Sequence, residues 1–350
     1  MNAMAFGTLR DSHVTLSHGG GGKAMSDLID AVFFPAFGAG SGEDQARLTA
    51  DALREPGARL AFTTDSFVVT PLEFPGGDIG KLAVCGTVND LAVGGARPLW
   101  LSAAFIIEEG CEIALLQRVV TSMAREAALA RVQIVTGDTK VVGRGSADGL
   151  FVTTSGVGVI PAGRDLAAAR IRPGDVVLVN GVLGDHGAAI LAARGDLALS
   201  TDLVSDCQGL GHLMETVLAA APGTRAARDA TRGGLAAALN EMALAAGCGI
   251  EISEEALPLR PEVRGVCEIL GLDPLYLANE GTLVLFVPEA EAEAALTAMR
   301  SRPEGQGAAI IGRAVAASEG GAHTARVQMV TSFGGRRIVD RLVGEQLPRI

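Results

Sequence analysis

Gly19-Gly20-Gly21-Gly22-Lys23 precedes three well-separated acids, Asp65, Asp90 and Asp138. Successive glycines allow φ > 0 and let backbone N–H groups close around an anion. The run is not a P-loop, which needs Ser or Thr after its lysine, where this chain has Ala24. Separated carboxylates suit magnesium, which takes octahedral oxygen ligands and keeps several waters. One or two carboxylates per ion, completed by phosphate oxygens, are then enough. Asp65 closes the β-type run 59–65. Asp90 follows Asn89 in a helical pattern, where an acid among Ala, Val and Leu is costly to bury without a partner. Asp138 ends another strand and leads into Thr139 and Lys140. Taken singly, the glycines are a flexible loop and each acid is a cap or turn residue. Together they read as a nucleotide site assembled from several loops, with the three acids on metal.

The second half offers three further elements. Gly184-Asp185-His186-Gly187 opens a helix whose free N–H groups and histidine could face an anion. An Asp cap with an exposed His is the plainer alternative. Asp229-Ala230-Thr231-Arg232-Gly233-Gly234 precedes another helix and adds a cation. Glu280 lies in Ala278-Asn279-Glu280-Gly281, between an apolar stretch and a strand, and is either turn chemistry or a general base.

These residues must be positioned by regular elements. Strand patterns at 59–65, 100–107, 132–136 and 150–160 alternate with helical patterns at 81–94 and 112–131. That order predicts an α/β domain over 1–160. Two prolines, a glycine and a charge cluster at 161–173 mark a boundary. A second α/β domain follows over 161–335, with strands at 175–180, 249–252, 282–287, 308–312 and 327–331 and helices at 184–194, 233–246 and 289–300. Residues 336–350 read as a charged, flexible tail.

The chain has 350 residues, 48% hydrophobic and 20% charged, which gives a globular protein with room for two domains. A net charge of −11 and only 4% aromatics exclude general nucleic-acid binding: phosphate would be repelled and few rings could stack on bases. Five cysteines without a CxxC pair or zinc spacing read as buried thiols in a reducing compartment. There is no signal-peptide pattern and no apolar run of about 18 residues. The protein is therefore expected in the cytoplasm, with no membrane partner.

As a series, HGGGGK, TTDSFVVTP, GTVNDLAVGGARP, GDTKVV, GDHG, DATRGGLAAALNE and NEG resemble the motifs of the HypE family of hydrogenase maturation proteins. That family sits in the superfamily of aminoimidazole ribonucleotide synthetase, selenophosphate synthetase and thiamine monophosphate kinase. The resemblance spans nearly the whole chain, and the closing Leu347-Pro348-Arg349-Ile350 points to HypE in particular. It implies a two-domain aminoimidazole ribonucleotide synthetase-like fold, α/β (α+β), whose N-terminal sheets form a barrel across a homodimer. It also implies an ATP site lined by Gly19, Gly20, Gly21, Gly22, Lys23, Asn89, Thr139, Lys140 and Asp229. Mg2+ would sit on Asp65, Asp90 and Asp138, with some of these residues supplied by the opposite protomer. His186, Arg232 and Glu280 would face the same cleft. The implied reaction is ATP-dependent dehydration of a C-terminal cysteine S-carboxamide to a thiocyanate. HypF would donate the carbamoyl group, and the HypC–HypD complex would accept the cyanide for the NiFe-hydrogenase iron. Transfer of the γ-phosphoryl makes the amide oxygen a leaving group and calls for charge neutralisation and alignment. Glu280 is the first choice of base and His186 the second, while Arg232 and the adjacent helix N-terminus would stabilise the departing phosphate.

In the family the tail normally ends Pro-Arg-Ile-Cys, and that cysteine carries the substrate. The sequence here stops at Ile350, so a removed, a modified and a lacking cysteine are all open readings. The enzymatic alternative is another superfamily small-molecule kinase or ligase, thiamine phosphate kinase-like or selenophosphate synthetase-like. Selenophosphate synthetases usually carry a reactive Cys or selenocysteine in the Gly-rich segment, whereas the first cysteine here is Cys85. The non-enzymatic alternative is a scaffold that binds ATP and docks maturation partners without turnover.

Overall fold

Four runs with alternate apolar or small residues form the first sheet, as covering one face demands. The computed structural model describes residues 5–38, 45–49, 51, 54–195, 202–317 and 326–342 and divides into two units. One comprises the chain up to Glu73 with Gly77–Leu91 and Ala96–Ala162; the other comprises Phe74–Gly76, Ala92–Gly95 and the chain from Gly163.

Through the first part of the chain run α1 (Lys23–Leu28), a π-helical turn (Ile29–Phe33) and α2 (Phe34–Phe37). Next come β1 (Arg59–Phe67), β2 (Glu73–Phe74), β3 (Gly77–Asp78), α3 (Ile79–Val93), β4 (Arg97–Glu108), α4 (Ile113–Ala130), β5 (Gln133–Val142) and β6 (Leu150–Ile160). The sheet order is β1-β6-β4-β5, antiparallel except for the parallel β4–β5 pair. α3 lies on one face, where Thr87 shares a 2.5 Å hydroxyl contact with Thr154 of β6. Gly80 brings α3 against α4, because a Cβ there would overlap Val119 O and come within 2.8 Å of Met123 Cγ. The opposite face is open: Phe62 is 72% exposed, Leu60 57% and Ile106 41%. Register sets Phe62, Val157 and Trp100 in one row on that face, and Ser66, Thr153, Ala104 and Asp138 in another.

The sequence pattern predicts strands that stop at Asp65 and before Asp138. The structure carries both onward, to Phe67 and Val142. Asp138, on the open face, keeps its water, and Asp65, at the helix seam, accepts the Ser66 N–H. Neither has to end a strand.

The second unit contains β7 (Val176–Val179), α5 (Asp185–Arg194), α6 (Gly211–Ala220), β8 (Ala226–Asp229), α7 (Gly234–Ala246) and β9 (Gly249–Ser253). These are followed by α8 (Pro261–Leu270), β10 (Leu283–Val287), α9 (Ala292–Arg300), β11 (Ala309–Val315), β12 (Val327–Val330) and β13 (Arg336–Val339). Seven strands order as β13-β12-β9-β11-β7-β10-β8. Val177, Val179, Val284 and Phe286 enter one core with α7 residues, while Val176, Leu178, Leu283, Leu285 and Val287 enter another with α6 and α9 residues. Burial on both faces explains why β7 and β10 read as unbroken apolar runs.

The charge pattern predicts a flexible tail over 336–350. The structure instead begins that stretch with β13, paired antiparallel to β12 across a turn in which Gly334 takes φ 79°. Arg336 and Arg337 disguise the strand: they bond Glu251 and Asp273, while Val339 is buried. Residues 343–350, with Leu347-Pro348-Arg349-Ile350, lie outside the described residues. No helix among the described residues is long and apolar enough to cross a membrane.

Gly80→Ala should force α3 away from α4 and cost about 1–3 kcal/mol. The check is an earlier midpoint in urea unfolding with an unchanged slope.

Candidate active site

In the first unit the glycine run is fixed from both ends. His18 is buried, and its Nδ1 accepts the Thr15 backbone N–H at 3.0 Å, which tightens the turn before the glycines. A Cβ on Gly19 would lie 2.8 Å from both Cβ and N of Val141, so only glycine lets the loop rest on β5 beside Lys140. Gly21 takes φ 72° and faces open space. Lys23, just after Gly22, holds Asp27 at 2.6 and 2.8 Å from the first turn of α1.

Asp65 and Asp90 line the seam between β1 and α3. Thr63 Oγ1 donates to Asp90 Oδ2 at 2.7 Å, which supplies the partner that an acid on this apolar helix needs. Asp65 Oδ1 accepts the Ser66 N–H at 2.9 Å, and its Oδ2 lies over Gly86, one helical turn before Asp90. Asn89 is buried beside them.

Asp138 belongs elsewhere in the sheet. It is three strand steps from β1, about 14 Å at ordinary strand spacing. Its row is that of Ser66, on the open face, whereas Asp65 shares its row with buried Thr154. Lys140 follows Asp138 on that face, with Nζ 3.4 Å from Oδ2, while Thr139 between them is buried. The structure thus brings Asp65 and Asp90 to one seam and sets Asp138 apart. No group of three or more His, Cys, Asp or Glu is placed to hold a metal ion among the described residues.

In the second unit, three of the segments singled out from the sequence converge. Gly184 caps α5 with φ 84° and no room for a side chain, a Cβ lying 2.9 Å from Val263 Cγ1. Asn279 Oδ1 accepts the Gly184 N–H at 2.7 Å, and its Nδ2 donates to Ala230 O at 2.8 Å and Leu277 O at 3.1 Å. The Asp229–Gly234 turn is closed by Gly233 and Gly234, at φ 80° and 62°. Arg232 is exposed at this turn and Asp229 ends β8 half-buried. Glu280 is half-buried in the loop before β10.

His186 is placed differently from the expectation of an anion-facing or exposed group. It is wholly buried, its Nδ1 lies 2.8 Å from Ser205 Oγ, and its ring meets Phe74 edge-on at 5.6 Å. Burial lowers its pKa to about 4, which keeps it neutral near pH 7. Neighbouring Asp185 is also buried; Arg260 Nε donates to its Oδ2 at 2.8 Å, yet desolvation outweighs that pairing and raises its pKa.

Asp206 was not legible as a site residue. Its carboxylate accepts the Glu280 N–H at 2.9 Å, the Gly281 N–H at 3.0 Å and the Thr282 hydroxyl at 2.9 Å. Desolvation pushes it up to about 6 against those three bonds, with Asp185 adding to the rise. The available signal was an acid flanked by Leu203, Val204 and Cys207. All five cysteines are buried, and desolvation pushes the Cys111 and Cys267 thiols up to about 11.

Family models of AIR synthase related protein match twice, the N-terminal domain over residues 42–160 and the C-terminal domain over 172–324. The fold is accordingly the two-domain α/β architecture of the AIR synthase-related proteins. Carbamoyl dehydratase HypE of Rhodobacter capsulatus is 75% identical over 342 residues, covering 98% of this chain and 99% of that one. A crystal structure of hydrogenase maturation protein HypE in complex with ATP aligns with a TM-score of 0.90 at 46% identity, covering 96% of this chain and 99% of that one. A chain from a crystal structure of a HypE–HypF complex aligns at 0.77 and 47% identity, covering 81% and 90%. The chain belongs to the HypE family of carbamoyl dehydratases.

His186 and Asp206 pull acid stability in opposite directions. Between its ordinary 6.5 and about 4, His186 takes a proton only when unfolded, so it removes stability as pH falls. Between about 6 and its ordinary 3.8, Asp206 takes one first in the folded state, so its contribution is present at low pH and lost as pH rises through 6. His186→Gln should lose less stability on acidification than wild type, by on the order of 3 kcal/mol between pH 7 and pH 4. Urea unfolding of both proteins across that range is the check.

Proposed function

We propose that this chain is an ATP-dependent carbamoyl dehydratase. It converts an S-carbamoyl cysteine at the chain end into a thiocyanate, the cyanide source for a NiFe-hydrogenase iron. The observation that carries this reading is 75% identity to a carbamoyl dehydratase across 98% of the chain. ATP as co-substrate and HypF as carbamoyl donor are supported by the solved relatives bound to each. The HypC–HypD complex as acceptor follows from the same role. The five buried thiols agree with a cytoplasmic setting.

The residues fit a metal-bound triphosphate. Gly19 rests without a side chain on β5, leaving the open backbone at Gly21 for phosphate. Lys23 supplies positive charge beside that loop, and Lys140, on the open face of β5, the buried Asn89 and Thr139, and Asp229 belong to the same nucleotide set. Mg2+ would be held by Asp65, Asp90 and Asp138, with phosphate and water completing the ion. ATP supplies the phosphoryl group that lets the carbamoyl oxygen leave as phosphate with the C–O electron pair. The nitrogen gives up one of its two protons as the oxygen is phosphorylated and ADP leaves, and its second to Glu280 as phosphate departs, and the freed N–H pair closes the carbon–nitrogen triple bond. Arg232, exposed at the α7 N-terminus, steadies the leaving phosphate. His186, neutral and enclosed, serves as an interior support in this scheme.

A homodimer completes the site. The open face carries Phe62, Leu60 and Ile106, an apolar patch that a second copy of the same sheet would cover in a shared barrel. Asp138 and Lys140 lie on that face, so each copy would offer them to its mate.

With a cysteine following Ile350, HypF, carbamoyl phosphate and ATP should add one carbamoyl group to the intact mass and then remove one water. A carbamoyl adduct that persists with ATP present overturns the dehydratase reading. Phe62→Asp should shift the mass in light scattering from dimer to monomer while each unit stays folded; an unchanged dimer assigns the interface elsewhere.

A further inference from the structure

The proposed base needs a fixed backbone, and one carboxylate outside the family motifs quoted above is bonded to it. Asp206 takes three donors from three consecutive residues, the N–H groups of Glu280 and Gly281 and the hydroxyl of Thr282. The carbonyl side of the same loop is held as well. Asn180 Nδ2 and Gln208 Nε2 donate to Gly281 O at 3.0 and 3.1 Å, and Asn180 Oδ1 accepts the Leu283 N–H at 2.7 Å. A Cβ on Gly281 would overlap Asp206 O, so the two backbones touch. Only an ionised carboxylate can serve all three donors at once; an amide would point its own N–H groups at one of them.

We propose that Asp206 is a positioning residue for the dehydration step, setting the Glu280 backbone so that the Glu280 carboxylate meets the carbamoyl nitrogen. The inference rests on Glu280 as proton acceptor. Asp206 itself does not touch substrate. It acts through the loop, and its neighbours Ser205 and Cys207 anchor it to the α5 start, since Ser205 Oγ contacts His186 and accepts the Cys207 N–H at 3.0 Å.

The test uses the full chain with a cysteine after Ile350, loaded with the carbamoyl group before ATP is added. Asp206→Asn should slow water loss about 10- to 100-fold, as a misplaced catalytic group does. Carbamoyl loading and the ATP concentration for half-maximal rate should stay as in wild type. Glu280→Gln should slow the same step, and the double variant should be no slower than the worse single one. Hydrogen exchange at the Glu280 and Gly281 amides should quicken in Asp206→Asn but not in Thr224→Ala, which removes a buried hydroxyl bond to Ala221 O away from this loop and controls for general loosening. Multiplying losses in the double variant, or wild-type water loss by Asp206→Asn with those amides deprotected, overturns the positioning role. Wild-type water loss by Glu280→Gln beside a slow Asp206→Asn overturns instead the assignment of Glu280, and with it the route through Glu280.

Discussion

One buried amide, Asn279, holds together segments that the chain separates widely. Its oxygen takes the Gly184 N–H at the start of α5, and its nitrogen gives one proton to Ala230 in the turn before α7 and another to Leu277 in its own loop. At 1% exposure it cannot exchange these partners for water, so leaving any of them unmet carries the full desolvation penalty. Glu280 follows it directly, Arg232 lies two residues beyond Ala230, and His186 lies two beyond Gly184. The residues of the second unit singled out from the sequence are therefore placed by a neighbour with no reactive group of its own.

Much of this arrangement was legible in the sequence where one face or both faces of an element are buried. The alternation in β6, the long apolar stripe of α4 and the unbroken runs of β7 and β10 each announce their burial. β8 and β13 did not, because arginines occupy strand positions where they pair with acids: Arg228 with Glu241, Arg336 with Glu251. α6 starts at Gly211 with no side-chain cap, which removes the usual start signal. The glycine run and the Asn279-Glu280-Gly281 loop could be singled out because glycine and acids at such places carry few other meanings. Asp206 could not. Its bonds reach across 74 to 76 residues of chain, and no local pattern records a contact of that range.

The three acids of the first unit teach a related lesson about geometry. A strand shows its neighbours on alternate faces, so Asp138 and Thr139 answer to different surroundings although they are adjacent. Asp65 and Asp90 belong to a seam closed by a helix, and Asp138 to the open face, where it is exposed. A motif spelled as one word in sequence is thus split between an interior and an exterior, and spacing alone does not report the division.

All five cysteine thiols are buried, and desolvation holds Cys111, Cys248 and Cys267 more firmly in the protonated form. Thiolate is the nucleophilic form, so burial and protonation keep these thiols from acting as nucleophiles. A protein that handles activated carbamoyl and cyano groups gains selectivity from this. An exposed thiol added to such a chain would have little competition from these five, and acylation or cyanation could be read there without background from them.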